Sequence, residues 1–470
     1  MTEEQNKHEQ AQISALPGMS YICLTAALGG LLFGFDTAVI SGTISFVKSQ
    51  YSLSAAAEGW FVSSGLLGCV FGVVLAGFLT DRFGRKFVLI ASALMFLVCS
   101  FGCAFAPTFD LLVLARGLGG VGVGMASVVA PMYIAEFAPA TRRGRMVAYY
   151  QLAITVGILL AYFSNALLLS FSQSEMAQSQ ALNWFFSKEP WRPMLLAMGI
   201  PSAVFAIMLQ RIPESPRWLY AVNKQEQARD ILIAVKGTAE AENDIAMIAK
   251  AEAKNSMDER SLLDKSLRLP LIIGVMLGIF SQFTGINAII YYGPRIFESA
   301  GFASGNAFLF QVIIGVINVV FTFVAITSAD KYGRRTLLLG GLAGIILSLV
   351  ICALLFYSGQ SSSLLLLGMI VFFIACFALS VGPCTWILIN EIFPTDVRAK
   401  AVSLCTFMVW AAVWVVGQFF PWMVETVGPA VTFATFAIMS LGNFLFCWKI
   451  VRETKNIALE DMEQLFVAPH

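Results

Sequence analysis

Long apolar stretches alternate with short polar ones along almost the whole chain. Twelve of these stretches contain about 20 mainly apolar residues, the length that an α-helix needs to cross the hydrocarbon core of a bilayer. In chain order they cover residues 19–41, 59–79, 87–106, 110–134, 147–170, 192–211, 269–293, 306–328, 336–357, 364–389, 401–424 and 429–450. The pattern predicts an all-α membrane protein with twelve transmembrane helices.

One long polar stretch, residues 212–268, separates the first six spans from the last six. Its apolar residues Ala228, Ile231, Leu232 and Val235 recur at helical spacing, so short helices are expected there. The chain is thereby divided into an N-terminal tail (1–18), a first six-helix bundle (19–211), a helical insert (212–268), a second six-helix bundle (269–450) and a C-terminal tail (451–470).

The basic residues give the expected orientation of the spans. Of the 30 lysines and arginines, 25 fall in the tails and in the loops on the same side as the tails, and four fall in the opposite loops. Arg116 alone lies within a span. Because basic loops stay in the cytoplasm, we expect both termini to be cytoplasmic and the protein to lie in the cell membrane.

The two halves of the chain repeat the same motifs in the same order, at offsets of 249 to 255 residues. The pairs are D-R-F-G-R-K at 81–86 with D-K-Y-G-R-R at 330–335, Glu136-Pro139-Arg143 with Glu391-Pro394-Arg398, and G-F-D-T-A-V-I at 34–40 with G-I-N-A-I-I at 285–290. The chain is therefore interpreted as a duplicated six-helix unit. Such internal repeats are typical of secondary transporters, in which two halves rock about a central site.

The composition excludes several other classes of protein. Hydrophobic residues make up 58% of the chain and charged residues 13%, against about 45–50% and 25% in soluble domains. A formal net charge of +1 offers no basic surface for nucleic acid. The nine cysteines lie in apolar stretches without a C-x-x-C pair, and the two histidines are His8 and His470. Neither a metal site nor a histidine proton carrier is expected within the spans, and no nucleophile–base constellation predicts an enzyme.

Several motifs together resemble the sugar porter family of the major facilitator superfamily. They are D-R-F-G-R-K at 81–86 with its repeat D-K-Y-G-R-R at 330–335, P-M-Y-I-A-E-F-A-P-A-T-R-R-G-R at 131–145, P-E-S-P-R-W-L at 213–219 and Q-F-T-G-I-N at 282–287. The resemblance extends over about residues 20–465 and is strongest to bacterial proton symporters of the xylose type. It implies the major facilitator fold, with two pseudo-symmetric six-helix bundles.

Two charges, Asp36 and Arg116, lie deepest within the spans. A lone charge in the bilayer costs several kcal/mol, so we expect the two residues to pair. The pair can be a purely structural contact between helices. Alternatively, Asp36 carries the coupled proton, because a carboxylate that leaves its partner in an apolar environment takes up a proton. The family resemblance favours the second interpretation, and the repeat places the neutral Asn287 at the equivalent position.

Charged residues also recur at the expected cytoplasmic ends of the spans. The resemblance implies that they form ion-pair networks that close the cytoplasmic side and part when the protein opens inward; the alternative is a solvated belt of charges. The residues are Asp81, Arg85, Glu136 and Arg143 in the first half and Asp330, Arg334, Glu391 and Arg398 in the second.

A sugar site needs amides, indole N–H groups and an aromatic surface. The spans supply such groups at Gln151, Gln282, Asn287, Tyr291, Asn318, Trp386 and Trp410. The resemblance supports these positions and adds Phe33 and Gly382. Each polar residue can alternatively be a hydrogen bond between helices.

The geometry of one of these spans makes a separate prediction. On a straight helix Gln282 lies about 140° from Asn287, so the two converge only if the helix breaks between them, for which Thr284-Gly285 is well placed. Two departures from the family, Ser281 in place of a glutamine and Val409 in place of a polar amide, predict an altered substrate preference or a weaker affinity for common hexoses and pentoses, but not loss of transport.

The sequence therefore predicts a proton-coupled symporter that imports a monosaccharide by alternating access. A facilitative uniporter for a sugar or polyol is the alternative within transport, and a transporter-like sugar sensor is a further one. No cofactor is expected beyond the coupling proton. The expected partners are the small-molecule sugar and the lipid bilayer, with no nucleic acid and no obligate protein partner, so the protein is expected to be monomeric.

Overall fold

Twelve long apolar helices dominate the computed structural model, which describes residues 17–138, 143–179, 182–255, 261–262, 264–361, 364–394 and 397–455. In chain order, these spans 1 to 12 are Met19–Gly42, Ala55–Phe83, Arg85–Ala104, Phe109–Phe137, Met146–Ser172, Trp191–Arg211, Lys265–Ser299, Ser304–Ser328, Arg334–Tyr357, Leu364–Glu391, Lys400–Thr426 and Gly428–Lys449. The number and order of spans predicted from hydropathy are confirmed. Several spans are longer than predicted, because their charged ends continue the helix.

The loops fall on two faces, since consecutive spans cross in opposite directions. The insert and the other loops that follow even-numbered spans lie on one face, which we call the basic face. The other is the opposite face. Short helices form in the insert, as its apolar spacing predicted: Pro216–Ala221, Gln225–Lys236 and Thr238–Asn255. Ala228, Ile231 and Leu232 are buried there, as expected for one apolar side of a helix.

Glycines let the spans approach each other closely. A Cβ on Gly120 of span 4 would stand 1.8 Å from the carbonyl oxygen of Gly65 in span 2. Between the halves, a Cβ on Gly59 of span 2 would stand 2.2 Å from the carbonyl oxygen of Gln418 in span 11. Span 5 meets span 8 where Leu159 packs against Gly315. The last two contacts join the two halves along two helix pairs, span 2 with span 11 and span 5 with span 8.

Span 7 is broken where the sequence predicted. Its helix ends at Gln282 and resumes at Ile286, and Gly285 between them has a φ of +86°. A positive φ costs glycine nothing but is unfavourable for residues with a Cβ, which explains the residue at this position. Span 10 is interrupted in a similar way at Ser380, between Leu379 and Val381.

The repeated G-R-K and G-R-R sequences form two equivalent tight connections on the basic face. Gly84 links spans 2 and 3 with φ +90° and ψ 170°, and Gly333 links spans 8 and 9 with φ +88° and ψ 156°. Each glycine faces a carboxylate, Glu214 in the first half and Glu453 in the second. This backbone conformation is essentially restricted to glycine, which explains why the repeated motif has a glycine at this position in both halves of the chain.

Replacing Gly84 by alanine is expected to lower the thermal stability of the purified protein in detergent. The new Cβ would stand 2.3 Å from Glu214 Oε2, and the backbone conformation itself costs about 1–3 kcal/mol for a residue with a side chain. Gly77→Ala in span 2 is the matched control, because no atom lies within 4 Å of its added Cβ. Equal melting temperatures for the two variants would contradict the assignment.

Candidate functional site

Asp36 and Arg116 form a buried ion pair between spans 1 and 4. The Arg116 Nη1 donates to Asp36 Oδ1 at 2.9 Å, and the side chains are 3% and 7% exposed for Arg116 and Asp36, respectively. The predicted pairing is confirmed. The Arg116 Nε is buried without a hydrogen-bond partner among the described residues, so this guanidinium depends on the single contact with Asp36. The role of Asp36 in carrying a proton stays a prediction.

A cluster of polar groups forms at the break in span 7. Asn287 Nδ2 donates to Gln282 Oε1 at 2.7 Å, and Gln282 Nε2 donates to Ser281 Oγ at 2.9 Å. The hydroxyl of Ser281 in turn donates to the carbonyl of Gly278 at 2.7 Å. Gln282 and Asn287 therefore converge because the helix breaks between them, as the sequence predicted.

Aromatic residues from both halves meet in the centre of the molecule. The rings of Phe33 in span 1 and Trp410 in span 11 are tilted, with centroids 5.2 Å apart. Trp410 is buried and Phe33 is partly buried. Tyr291 is one turn of helix beyond Asn287 and is buried, and its helix, Ile286–Ser299, packs against span 1. Phe33 lies three residues before Asp36, so the aromatic pair and the buried ion pair share span 1.

The remaining candidate sugar residues lie on other spans. Gln151 is partly buried in span 5, and Asn318 is buried in span 8. The side-chain amides of both make no hydrogen bond with another described residue. Gly382 and Trp386 are partly buried in span 10, just past its interruption. The structure brings together Gln282 with Asn287 and Phe33 with Trp410. Among the described residues, it does not join Gln151, Asn318, Gly382 or Trp386 to either pair by a direct hydrogen bond.

An ion pair on the basic face joins spans 3 and 4 of the first half. Arg85 Nη2 lies 3.0 Å from Glu136 Oε1, and Glu136 also accepts a hydrogen bond from the Ser215 hydroxyl. Next to it, Glu214 accepts the backbone N–H groups of Arg85 at 2.9 Å and Lys86 at 3.1 Å. Burial raises the pKa of the Glu214 carboxyl, and these N–H donors oppose the rise.

The second half repeats this arrangement contact by contact. Arg334 Nη2 lies 3.0 Å from Glu391 Oε1, and Thr454 Oγ1 donates to Glu391 Oε2 at 2.7 Å. Glu453 accepts the backbone N–H groups of Arg334 at 2.9 Å and Arg335 at 3.0 Å. Both ion pairs thus bind spans within one half. The prediction that these networks part on inward opening stays a prediction.

The other predicted gating residues occupy different settings. The Asp81 side chain is exposed, and its backbone carbonyl accepts a hydrogen bond from the Trp218 indole at 3.0 Å, which attaches the insert to the span 2–3 loop. Arg398 donates to the carbonyl of Phe393 from Nη2 at 3.0 Å. The side chains of Arg143 and Asp330 lie outside the described part of the chain.

A cluster of three charges, which we call the opposite-face cluster, joins the two halves. Glu58, at the start of span 2, is 0% exposed. It contacts Lys48 Nζ of its own half at 3.0 Å and forms an ion pair with Arg295 of the second half. Beside it, the Ser45 hydroxyl donates to Glu298 of the second half at 2.9 Å.

Three other side chains also connect the halves toward this face. Ser63 donates to Gln418 Oε1 at 2.6 Å, and the Tyr162 hydroxyl donates to the carbonyl of Ile290 at 3.1 Å. Gln418 Nε2 in turn donates to the carbonyl of Ala56 at 3.2 Å. Together with the opposite-face cluster, these bonds hold the two halves together on the side away from the insert.

Sequence reasoning missed the opposite-face cluster and the roles of Glu214 and Glu453. One signal for the cluster was available, since Lys48 and Arg295 are two of the four basic residues in the opposite loops. Glu214 stands in the P-E-S-P-R-W-L motif at 213–219, whereas none of the motifs described above contains Glu453. Their partners are backbone N–H groups more than a hundred residues away, which no residue pattern reveals.

Twelve spans in two repeated halves, with a buried ion pair between spans 1 and 4 and a polar cluster at the break of span 7, define a secondary transporter of the major facilitator superfamily. The family model "Sugar (and other) transporter" matches residues 22–466, and the chain belongs to this family.

Its relatives include the "Arabinose-proton symporter" of Bacillus subtilis (strain 168), 40% identical over 95% of this chain and 94% of the relative. The "D-xylose-proton symporter" of Escherichia coli (strain K12) is 37% identical over 95% of each chain. Among solved structures, the inward open conformation of the xylose transporter XylE from E. coli is similar with a TM-score of 0.82. It has 34% identity and covers 95% of this chain and 100% of that one.

Replacing Glu58 by glutamine is expected to loosen the contact between the halves on the opposite face. The change leaves Lys48 and Arg295 close together without the carboxylate that neutralises them, so the two cations repel each other. Faster hydrogen exchange should follow in residues 43–54 and 296–303, which carry the contacts of this face.

The matched control is Glu242→Gln in the exposed pair of Arg229 with Glu242, whose side chains are 56% and 48% exposed. Exposed pairs of this kind contribute little to stability. If hydrogen exchange in residues 43–54 and 296–303 is as slow in Glu58→Gln as in this control, the cluster does not hold the two halves together.

Proposed function

We propose that this protein is a proton-coupled symporter that imports a monosaccharide by alternating access, with Asp36 carrying the coupled proton. The observation that carries the proposal is the buried pair of Asp36 and Arg116, in a span that packs against the helix following the amide-bearing break of span 7. The names of its relatives as arabinose and D-xylose symporters support a pentose or similar monosaccharide as the substrate class.

The chemistry of the pair couples protonation to conformation. While Arg116 contacts Asp36, the carboxylate is neutralised and has no need of a proton. If the two separate without protonation, a buried charge is stranded at a cost of about 3–5 kcal/mol. A proton taken up by Asp36 removes the share of this cost that belongs to the carboxylate, so the conformation with the pair broken is reached with a proton bound. A proton that moves down the membrane potential supplies about 2.3 kcal/mol per 100 mV, which supports roughly fiftyfold accumulation of a neutral solute.

The amides and aromatic rings supply the recognition of a sugar. Gln282, Asn287 and Asn318 offer donors and acceptors to hydroxyl groups, and Trp410 with Phe33 offers an apolar surface to the ring. Gln151, Tyr291, Gly382 and Trp386 complete the proposed lining. The basic face is proposed to be cytoplasmic, by the distribution of Lys and Arg. A monomer suffices for this mechanism, since the proposed lining comes from both halves of one chain.

Uptake of labelled arabinose and D-xylose into proteoliposomes tests the proposal. With an inward proton gradient, the wild-type protein should accumulate one of these sugars above equilibrium, and a protonophore should abolish the accumulation. Asp36→Asn should lose accumulation but keep exchange of sugar down its gradient, because asparagine cannot release a proton. Asp110→Asn is the matched control, since Asp110 is exposed in the first turn of span 4.

Three outcomes separate the alternatives. Addition of sugar to de-energised vesicles should alkalinise the outside for a symporter and leave the pH unchanged for a uniporter. Accumulation by Asp36→Asn equal to that of the wild type would remove Asp36 from the coupling mechanism. Binding of a sugar without any flux would favour a sensor.

A further inference from the structure

Four polar groups at the break of span 7 form a one-way chain of hydrogen bonds. The order is Asn287 to Gln282 at 2.7 Å, Gln282 to Ser281 at 2.9 Å, and Ser281 to the carbonyl of Gly278 at 2.7 Å. Ser281 is buried at 3% exposure, so it bonds to its own helix and is withdrawn from the space that a solute would occupy. Asn287 is partly exposed at the other end of the chain.

The direction of this chain follows from the chemistry of each group. A serine hydroxyl has one hydrogen, and here that hydrogen is donated to the Gly278 carbonyl. Toward Gln282, Ser281 can then act as an acceptor and not as a donor. The Gln282 amide must therefore turn its Nε2 to Ser281 and its Oε1 to Asn287, and Asn287 must turn its Nδ2 to Gln282.

The direction of these hydrogen bonds determines which side of its amide group Asn287 presents to a solute. One hydrogen of its Nδ2 is donated to Gln282, while its Oδ1 makes no hydrogen bond with another described residue and is able to accept one. Without the anchor at Ser281, both amides could turn over together. The two amide groups would then keep their mutual bond but exchange donor and acceptor, since the two ends of an amide are nearly equal in shape.

We propose that Ser281 is a positioning residue that sets the hydrogen-bond polarity of the sugar site, so that Asn287 Oδ1 accepts a hydrogen bond from a substrate hydroxyl. The inference rests on the proposed sugar-binding function. Ser281 acts through Gln282 and Asn287 and does not itself contact the sugar. It also gives a physical role to one position at which this chain departs from the family pattern.

Sugars in which one hydroxyl is replaced by fluorine test the polarity. Fluorine can accept a weak hydrogen bond but cannot donate one, so a fluorinated sugar loses the bond to Asn287 Oδ1. The probes are D-xylose and its monofluorinated derivatives, measured as competitors of labelled D-xylose uptake in proteoliposomes. For the wild type, fluorine at one hydroxyl position should weaken competition about tenfold, the effect of one lost hydrogen bond.

Ser281→Ala should reduce this discrimination to about threefold or less, because the released amides can offer Nδ2 to the fluorine. Ser281→Thr should restore the wild-type ratio, since it keeps the hydroxyl. Ser281→Cys should behave like alanine, because a thiol is a weak acceptor of nearly the same shape. Each value is a ratio within one variant, so differences in expression or folding cancel.

The matched control is Ser202→Ala in span 6. Ser202 is also buried, and its hydroxyl donates to the carbonyl of Met198 in its own helix at 2.7 Å. It bonds to no amide, so the wild-type ratio should persist in this variant. A merely structural role for Ser281 would change uptake in the alanine variant without changing the ratio.

Two kinds of failure can be told apart. Wild-type discrimination that persists unchanged in Ser281→Ala and Ser281→Cys, or a wild type that ignores fluorine at every position, would overturn the polarity and leave sugar transport intact. A wild-type protein that neither binds nor transports D-xylose, arabinose or another monosaccharide would overturn the proposed function and this inference together.

Discussion

The ion pair of Asp36 and Arg116 limits how spans 1 and 4 can move against each other. Both side chains are almost completely buried among apolar spans, where an unpaired charge costs several kcal/mol. The guanidinium has one hydrogen-bonded partner of opposite charge and a buried Nε without one among the described residues. Movement of span 1 against span 4 therefore has to change the charge state of the pair or keep the pair together. An interaction of this kind turns a small displacement into a choice between two states.

Equivalent positions in the two repeated halves make different contacts. Asp36 and Asn287 occupy the same place in the repeat, but Asp36 is paired with an arginine and Asn287 is bonded to an amide. The first half thus holds the titratable group and the second half holds the neutral donors and acceptors. The helix Ile286–Ser299, which carries Asn287 and Tyr291, packs against span 1 and so brings the two settings close together.

The sequence predicted those features that depend on the cost of burial or on helix geometry. Pairing of Asp36 with Arg116 followed from the cost of a lone charge in lipid, and the break in span 7 followed from the angle between Gln282 and Asn287. Features that depend on the backbone were not predictable. Glu214 and Glu453 bind the N–H groups of residues across the fold, and Glu58 finds Arg295 more than 200 residues away. Nothing in residue spacing encodes such contacts, and they emerge when the spans pack.

The two faces of the bundle use ion pairs differently, and the difference suits a rocking motion. On the basic face, Arg85 with Glu136 and Arg334 with Glu391 brace spans inside each half, which keeps each half stiff. On the opposite face, Glu58 contacts cations of both halves. Because Glu58 also contacts Lys48 of its own half, its carboxylate would keep one positive partner if the contact with Arg295 were lost. The contact across the halves can consequently break and re-form at a moderate cost, whereas a two-residue pair at the same depth would strand its carboxylate on each opening.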